Sequence, residues 1–433
     1  MASGLSRRRF LKNCAGFGAG LLAACSRWPL SDSSKPRVVV VGGGFAGATA
    51  AKYLKILDDA LHVSLIVPQA GYITCPASNW LFAGLGDIER LTVDYRSLQS
   101  RYGVAVVADS AKALDLSGKR VHLQSGEVRS YDRLILAPGI DFRWDTIAGY
   151  DAAAAEHFPH AWRAGPQTLM LLRQLQAMPD GGVVLIAVPA DPYRCPPGPY
   201  ERASMMAYWL KQHKPRAKIL ILDAKRSFSK QALFEAGWAK HYGYGTPQSL
   251  IEWHSLADNP LLELHADSKT LVSEFGDRFS GDVLNIIPPQ TAGSIVRQSG
   301  LADAGGWCPV RPATAQSRFD DFVHIIGDAA NYAPIPKSAF AANSAAKVCA
   351  MAVVSLLREQ PLPEAHWLNT CYSLVAPEHG ISVAGVYKAD SGGTISPVAG
   401  AGGVSVAKDS EAERAEAEYA QIVYRNLVAD SFV

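Results

Sequence analysis

The sequence has almost no excess of either charge: 42 Lys and Arg face 40 Asp and Glu, for a formal net charge of +2. It contains no long basic run, so nothing in the charge argues for a nucleic-acid partner. There is no Cys-x-x-Cys-His, so the chain attaches no c-type haem of its own, and no Cys/His spacing of the zinc-binding kind. Cysteine itself is sparse, 7 residues in all. Turn formers are plentiful instead. The 37 glycines and 26 prolines in 433 residues fit many tight loops between short elements, as in a many-stranded α/β protein of two or three domains.

The N-terminus reads as an address. Ser6-Arg7-Arg8-Arg9-Phe10-Leu11-Lys12 resembles a twin-arginine export signal, and the weakly apolar stretch from Cys14 to Ala24 is too short for a confident membrane span. Export by this route implies a periplasmic protein delivered already folded. Leu22-Ala23-Ala24-Cys25 also resembles a lipoprotein box, which would leave a lipidated Cys25 as the first mature residue; ordinary cleavage nearby is the competing and slightly preferred reading. Setting aside Cys14 and Cys25, five cysteines remain, Cys75, Cys195, Cys308, Cys349 and Cys371. An oxidising compartment permits disulfides, and an odd count leaves at least one thiol otherwise used.

Arg37 to Val41 is a buried-strand run, followed by Gly42-Gly43-Gly44-Phe45-Ala46-Gly47 and a helical pattern from Ala48 to Leu57. In Gly42-x-Gly44-x-x-Gly47 the first glycine makes the turn, the second admits a pyrophosphate, and the third lets helix and strand approach. The phosphates then meet the free N–H groups of the helix start. The next strand, His62 to Val67, lacks the acid expected at its end to hold a ribose; Gln69 is the available substitute. Cys75 follows in Gly71-Tyr-Ile-Thr-Cys75-Pro-Ala-Ser-Asn-Trp80, where the chain passes near the dinucleotide; the bland alternative is a buried thiol.

Leu134-Ile135-Leu136-Ala137-Pro138-Gly139 resembles the inner nucleotide contact of flavoproteins with two dinucleotide folds. Gly181 to Val188 begins a second such unit, but no glycine-rich loop follows. The loop Pro189 to Glu201 holds Cys195 and several prolines, which have no N–H to offer a phosphate. This unit is therefore expected to keep its architecture without binding NAD(P)H. Arg202 to Gln212 reads as its helix. Farther on, Phe322 to Ile326 runs into Gly327-Asp328, a candidate contact to the ribityl and pyrophosphate side of a flavin, and the helix from Lys337 to Glu359 presents its N-terminus there. Beyond it, Asn369 to Val375, Gly380 to Val383 and Gly385 to Tyr387 read as strands of a small sheet, Ala399 to Gly403 as a turn, and Asp409 to Leu427 as a charged amphipathic helix too polar to span a membrane.

Gly42-x-Gly44-x-x-Gly47, Cys75-Pro76-x-Ser78-Asn79, Cys195-Pro-Pro-Gly-Pro-Tyr-Glu201, Ile326-Gly327-Asp328-Ala329 and Asn369-Thr-Cys371-Tyr-Ser373 occur in this order. Together they resemble the flavoprotein subunit of flavocytochrome c sulfide dehydrogenase, within the pyridine nucleotide-disulfide oxidoreductase superfamily. The resemblance implies an α/β chain with two Rossmann-like, glutathione-reductase-type dinucleotide domains and a small C-terminal α+β interface domain. The expected segments are 1–34 (signal and tether), 35–150 and 281–358 (FAD domain), 151–280 (second Rossmann-like domain) and 359–433 (C-terminal domain).

The resemblance also implies FAD, held by Gly42, Gly44, Gly47, Gln69, Ala137, Gly139, Gly327, Asp328 and Lys337 and linked through its 8α-methyl to the Cys75 sulfur. Cys195 and Cys371 would form a disulfide beside the flavin, with Glu201 as acid/base. The implied reaction oxidises sulfide or a related small sulfur compound: hydrosulfide opens the disulfide by exchange, and electrons leave to a c-type cytochrome on a separate chain. Two alternatives remain at this point, a sulfide:quinone oxidoreductase and a non-catalytic flavin electron-carrier subunit. A membrane contact is expected only if Cys25 is lipidated.

Overall fold

The computed structural model describes residues 35–390, 392–406 and 409–433. The twin-arginine segment, Cys14 and Cys25 lie outside the described residues.

Val38 to Val41 are almost wholly buried, as a parallel strand covered on both faces must be. The strand Arg37–Val41 pairs in parallel with His62–Val67 on one side and Arg133–Leu136 on the other. Ala105–Ala108 extends one edge, and Val323–Ile325 joins beyond Arg133–Leu136. Short pieces near 308–331 complete eight strands. This sheet thus draws on two stretches of chain separated by a second sheet. The second sheet holds Ile251–Ser255, Lys218–Asp223, Val183–Val188 and Val283–Ile286, all parallel. Ile140–Phe142 and Gln290–Ala292 pair antiparallel where the chain passes between the two. The architecture is α/β with two Rossmann-type units and a C-terminal α+β portion.

That C-terminal portion is an antiparallel sheet of His366–Ala376, His379–Ala389 and Ile395–Val404, followed by the helix Ser410–Phe432. Three sequence readings need correction here. Ala399 to Gly403 is not a turn but part of a strand. A Cβ on Gly402 would stand 2.5 Å from the Ala384 carbonyl oxygen, so the glycines there serve close strand approach. The last helix runs on past Leu427 because its final turn carries the fully buried Phe432. The helix expected from Arg202 begins at Gly198. Pro199 sits in its first turn, where the missing N–H costs nothing, and Glu201 becomes a helical residue.

The helix Ala339–Leu357 is apolar and long enough to cross a membrane, but most of it is buried, packed on the helix Phe45–Leu57 and the strand His366–Ala376. Its start is capped by Ser338, whose side chain accepts from the Ala341 N–H.

Candidate functional site

The glycine turn has the geometry its spacing calls for. Gly42 has φ +102°, and a Cβ there would lie 2.3 Å from the Ala137 carbonyl oxygen. A Cβ on Gly47 would lie 1.8 Å from the Gly42 carbonyl oxygen, so only glycine lets the helix sit against the strand. The helix Phe45–Leu57 starts with no side-chain cap and no acid in its first turn, which leaves its N–H groups to an anion.

From this turn a cavity of about 640 Å³ extends across the molecule to Cys195 and Cys371. Gly42, Gly44, Gln69, Cys75, Ala137, Gly139, Gly327 and Asp328 all line it, as does Glu201. Oδ1 of Asp328 is buried without a hydrogen-bond partner, and its Oδ2 is 4.0 Å from the Arg194 guanidinium. An unpartnered buried carboxylate oxygen on the wall of a cavity, opposite a glycine cradle, fits the hydroxyls and phosphates of a dinucleotide. Cys75 reaches the same wall, with its Sγ 3.8 Å from the Trp162 carbonyl oxygen.

Two expected cofactor residues stand elsewhere. Gly47 acts one layer behind, in helix–strand packing. Lys337 turns away: its Nζ donates to the carbonyls of Asp328 at 2.7 Å and Ala330 at 2.9 Å and lies over the Trp307 ring. Burial lowers its ammonium to about 8. It braces the Gly327-Asp328 turn, while Ser338, Ala339 and Phe340 supply the helix start that faces the cavity.

Cys195 and Cys371 come from remote parts of the chain to the same wall. Cys195 occupies the left-handed region, φ +57°, in the turn before the helix Gly198–His213. Its N–H donates to the Lys337 carbonyl at 2.8 Å and its carbonyl accepts from Gly198. Gly198 leaves the room, since a Cβ there would be 2.8 Å from Trp162 and 3.2 Å from the Cys195 sulfur. Cys371 sits mid-strand opposite Val383. The two thiols are unbridged and half-buried, and each acts on the other's acidity. The neighbouring Cys371 thiol, then burial and the Glu201 charge, pushes the Cys195 thiol well above the usual range. The neighbouring Cys195, helped by Lys230 and Ser373 against burial, lowers the Cys371 thiol to about 7. Cys308 and Cys349 are fully buried, and burial raises both thiols; they are core residues.

Glu201 projects from the first turn of its helix into a ring of donors. Its carboxylate accepts from Trp80 Nε1 at 3.2 Å, the Leu374 N–H at 3.0 Å and Asn79 Nδ2 at 3.0 Å. Arg202, next along, is fully buried. It donates to Asn79 Oδ1, Asn285 Oδ1 and the carbonyls of His160 and Ala161. Asn79 therefore couples carboxylate to guanidinium. Lys230, Asn79 and Trp80 went unrecognised as site residues. Asn79 and Trp80 flank Cys75 in sequence, a signal that was present. Lys230 had none, since a lone lysine before a helix reads as solvated.

The C-terminal helix closes one side of the cavity with Ala420, Val423, Tyr424 and Leu427. Tyr424 Oη is 2.7 Å from Thr74 Oγ1. Phe432 sits among Phe45, Tyr72 and Tyr95, with ring centroids 5.3, 5.9 and 6.3 Å away.

Comparison with known proteins follows this division of the chain. Residues 36–164 match the family described as pyridine nucleotide-disulphide oxidoreductase, residues 168–288 the central part of the sulfide dehydrogenase [flavocytochrome c] flavoprotein chain, and residues 363–432 the flavin-binding part of flavocytochrome c sulphide dehydrogenase. A sulfide dehydrogenase [flavocytochrome c] flavoprotein chain of Chlorobaculum thiosulfatiphilum is 58% identical over 43 residues, 10% of this chain and 90% of that one. The mitochondrial sulfide:quinone oxidoreductase of Mus musculus is 27% identical over 323 residues, 72% of this chain and 68% of that one. Among solved structures, the sulfide:quinone oxidoreductase of Aquifex aeolicus superposes with a TM-score of 0.69 at 18% identity, covering 91% of this chain and 92% of the other.

Proposed function

Since the chain belongs to the flavocytochrome c sulfide dehydrogenase flavoprotein family, we propose that it oxidises sulfide at a Cys195–Cys371 disulfide beside an FAD tethered to Cys75. Membership makes it a sulfide-oxidising flavoprotein oxidoreductase that uses FAD. The observation that supports the finer reading is the meeting of Cys195, Cys371 and Glu201 on one wall of the cavity that also holds the glycine turn, Asp328 and Cys75.

The residues divide the work. Gly42, Gly44 and the start of the helix Phe45–Leu57 would take the pyrophosphate, Asp328 a hydroxyl chain, and Cys75 the covalent link. Hydrosulfide forms a new S–S bond to one cysteine sulfur, and the old bond breaks with its electron pair left on the other as thiolate. The sulfide sulfur is oxidised and the disulfide reduced. Glu201, with its carboxylate held by three donors, accepts the persulfide proton. A second hydrosulfide would carry the outer sulfur off as hydrogen disulfide, leaving two thiolates; FAD, once bound, would supply the two-electron acceptor that lets them close to the disulfide, its electrons passing singly to a c-type cytochrome on a separate chain.

The second Rossmann-type unit serves as scaffold without NAD(P)H. Asp223, at the strand end where a ribose-binding acid belongs, is fully buried. It is spent on Tyr200 Oη at 2.5 Å, Trp253 Nε1 at 2.9 Å and Lys225 Nζ at 2.6 Å. The N-terminal sequence supports twin-arginine export to the periplasm, with a membrane anchor only if Cys25 carries lipid.

The similarity to sulfide:quinone oxidoreductases supports a second reading, with quinone as acceptor. A denaturing gel run in acid, viewed for flavin fluorescence beside Cys75→Ala, separates the two. Fluorescence that stays with the wild-type band and leaves with the variant supports the tethered, cytochrome-linked enzyme. Flavin that washes from the wild type sinks the Cys75 link and turns the reading toward quinone.

A further inference from the structure

Lys230 takes part in none of the steps above, yet it is buried beside Cys371. It lies at φ +62°, a left-handed conformation uncommon for a side-chain-bearing residue. This turn aims its chain inward at the start of the helix Gln231–Tyr242, although lysine is rarely buried without a partner. Nζ donates to the Cys371 carbonyl at 3.1 Å, the Ser373 hydroxyl at 2.8 Å and the Ile381 carbonyl at 3.3 Å. Three acceptors match the three donors of an ammonium. Ser373 lies two residues from Cys371 on the same face of the strand His366–Ala376, and its hydroxyl favours the Cys371 anion, so Nζ reaches the sulfur's side of the strand through Oγ.

We propose that Lys230, acting through Ser373, holds the negative charge that appears on Cys371 when the disulfide opens, and so makes Cys371 the departing sulfur and Cys195 the sulfur that sulfide attacks. The inference rests on the disulfide reading. Hydrosulfide gives its electron pair to the Cys195 sulfur, the Cys195–Cys371 bond breaks, and that bond's pair stays on Cys371. Exchange favours departure of the thiol with the lower pKa.

The neighbouring charges agree with this order. Cys371 faces Lys230 and Ser373, which favour its anion, and Glu201, which opposes it. Cys195 faces Arg194, which favours its anion, and Glu201, which opposes it. Burial lowers the Lys230 ammonium, while Cys371, Glu201, Cys195 and Glu416 draw it back up. Lys230 is a positioning residue: it acts on sulfide only through Cys371.

The test uses the flavin-loaded protein. A non-reducing peptide map first asks whether Cys195 and Cys371 are joined; separate peptides overturn the disulfide reading itself. After reduction, iodoacetamide alkylation of each cysteine is followed by mass spectrometry from pH 5 to 9 in wild type, Lys230→Met, Lys230→Arg and Ser373→Ala. In wild type, Cys371 reacts first on raising the pH. Lys230→Met should slow Cys371 alkylation at pH 7 about tenfold and move its midpoint up by about one unit or more. Lys230→Arg should restore most of the rate, and Ser373→Ala should fall between. A Cys371 midpoint unmoved in both Lys230→Met and Ser373→Ala, with the disulfide present in the map, overturns the role of Lys230 alone. If Lys230→Met fails to fold, Ser373→Ala decides by itself.

Discussion

Phe432→Ala should open the cofactor cavity without unfolding the protein. The ring is 1% exposed and meets Phe45 edge-on and Tyr72 in a stack. Truncating such a residue costs about 3–5 kcal/mol, including the aromatic pairs at roughly 0.5–1.5 kcal/mol each. The rest of the last turn stays held: Asp430 accepts from Tyr53 at 2.7 Å and Asn343 at 2.8 Å and pairs with Lys347 at 2.7 Å. The loss therefore falls on docking of the helix Ser410–Phe432. At about 1.4 kcal/mol per factor of ten, the undocked fraction should rise on the order of 10²- to nearly 10⁴-fold. Arg425 is exposed on that helix, so limited trypsin digestion reads the undocked state. The expected result is cleavage at Arg425 accelerated by that factor with a core that still resists, and weaker flavin retention wherever the flavin is not covalently held. Phe432→Leu should lose only about 1–2 kcal/mol. Equal cleavage rates in wild type and Phe432→Ala would refute the claim that this ring anchors the wall.

Glu201→Gln must turn an amide N–H toward Trp80, Leu374 or Asn79, all of which donate, so it should lower stability by about 1–3 kcal/mol and slow sulfide-driven flavin bleaching on the order of 10²- to 10⁴-fold; bleaching at the wild-type rate would remove Glu201 from the chemistry. Gly47→Ala puts a Cβ 1.8 Å from the Gly42 carbonyl oxygen and should yield protein without FAD, as read by the flavin-to-protein absorbance ratio. Stability should fall on acidification. His379, bonded to His241 at 2.9 Å, is lowered by burial to about 4, against about 6.5 in the unfolded chain. The unfolded state thus binds the extra proton, and stability present above about pH 6.5 is lost as the pH falls toward 4. His160 and His324, lowered to about 3 and about 4, add in the same direction. His379→Gln should flatten part of the slope in guanidinium unfolding between pH 7.5 and 5; an unchanged slope refutes the assignment.

The parts of the site that sequence discloses are the local ones. Gly42, Gly44 and Gly47 announce themselves because a turn between strand and helix dictates their spacing. Gly327-Asp328 does so because an apolar strand must end in something. Cys195 and Cys371 carry no local mark that joins them, since they meet through a helix of one unit and a sheet of another; only resemblance paired them. Lys337 was placed on the cofactor because it starts a helix that points there, but two backbone carbonyls capture its ammonium first. Ala399 to Gly403 looked like a turn because glycine is weak in strands by itself. Pairing with His379–Ala389 overrode that propensity. Lys230 was invisible because its burial depends on a left-handed turn and on strands more than a hundred residues away.

The helix Ser410–Phe432 is synthesised long after the cavity floor at Gly42 to Gly44, yet it walls that same cavity. A ribosome-bound chain without that helix holds an open trough, whatever has already folded behind it. Enclosure of the cofactor site thus waits on a segment made long after the glycine turn that grips the pyrophosphate side, so the two halves of the site form at different times.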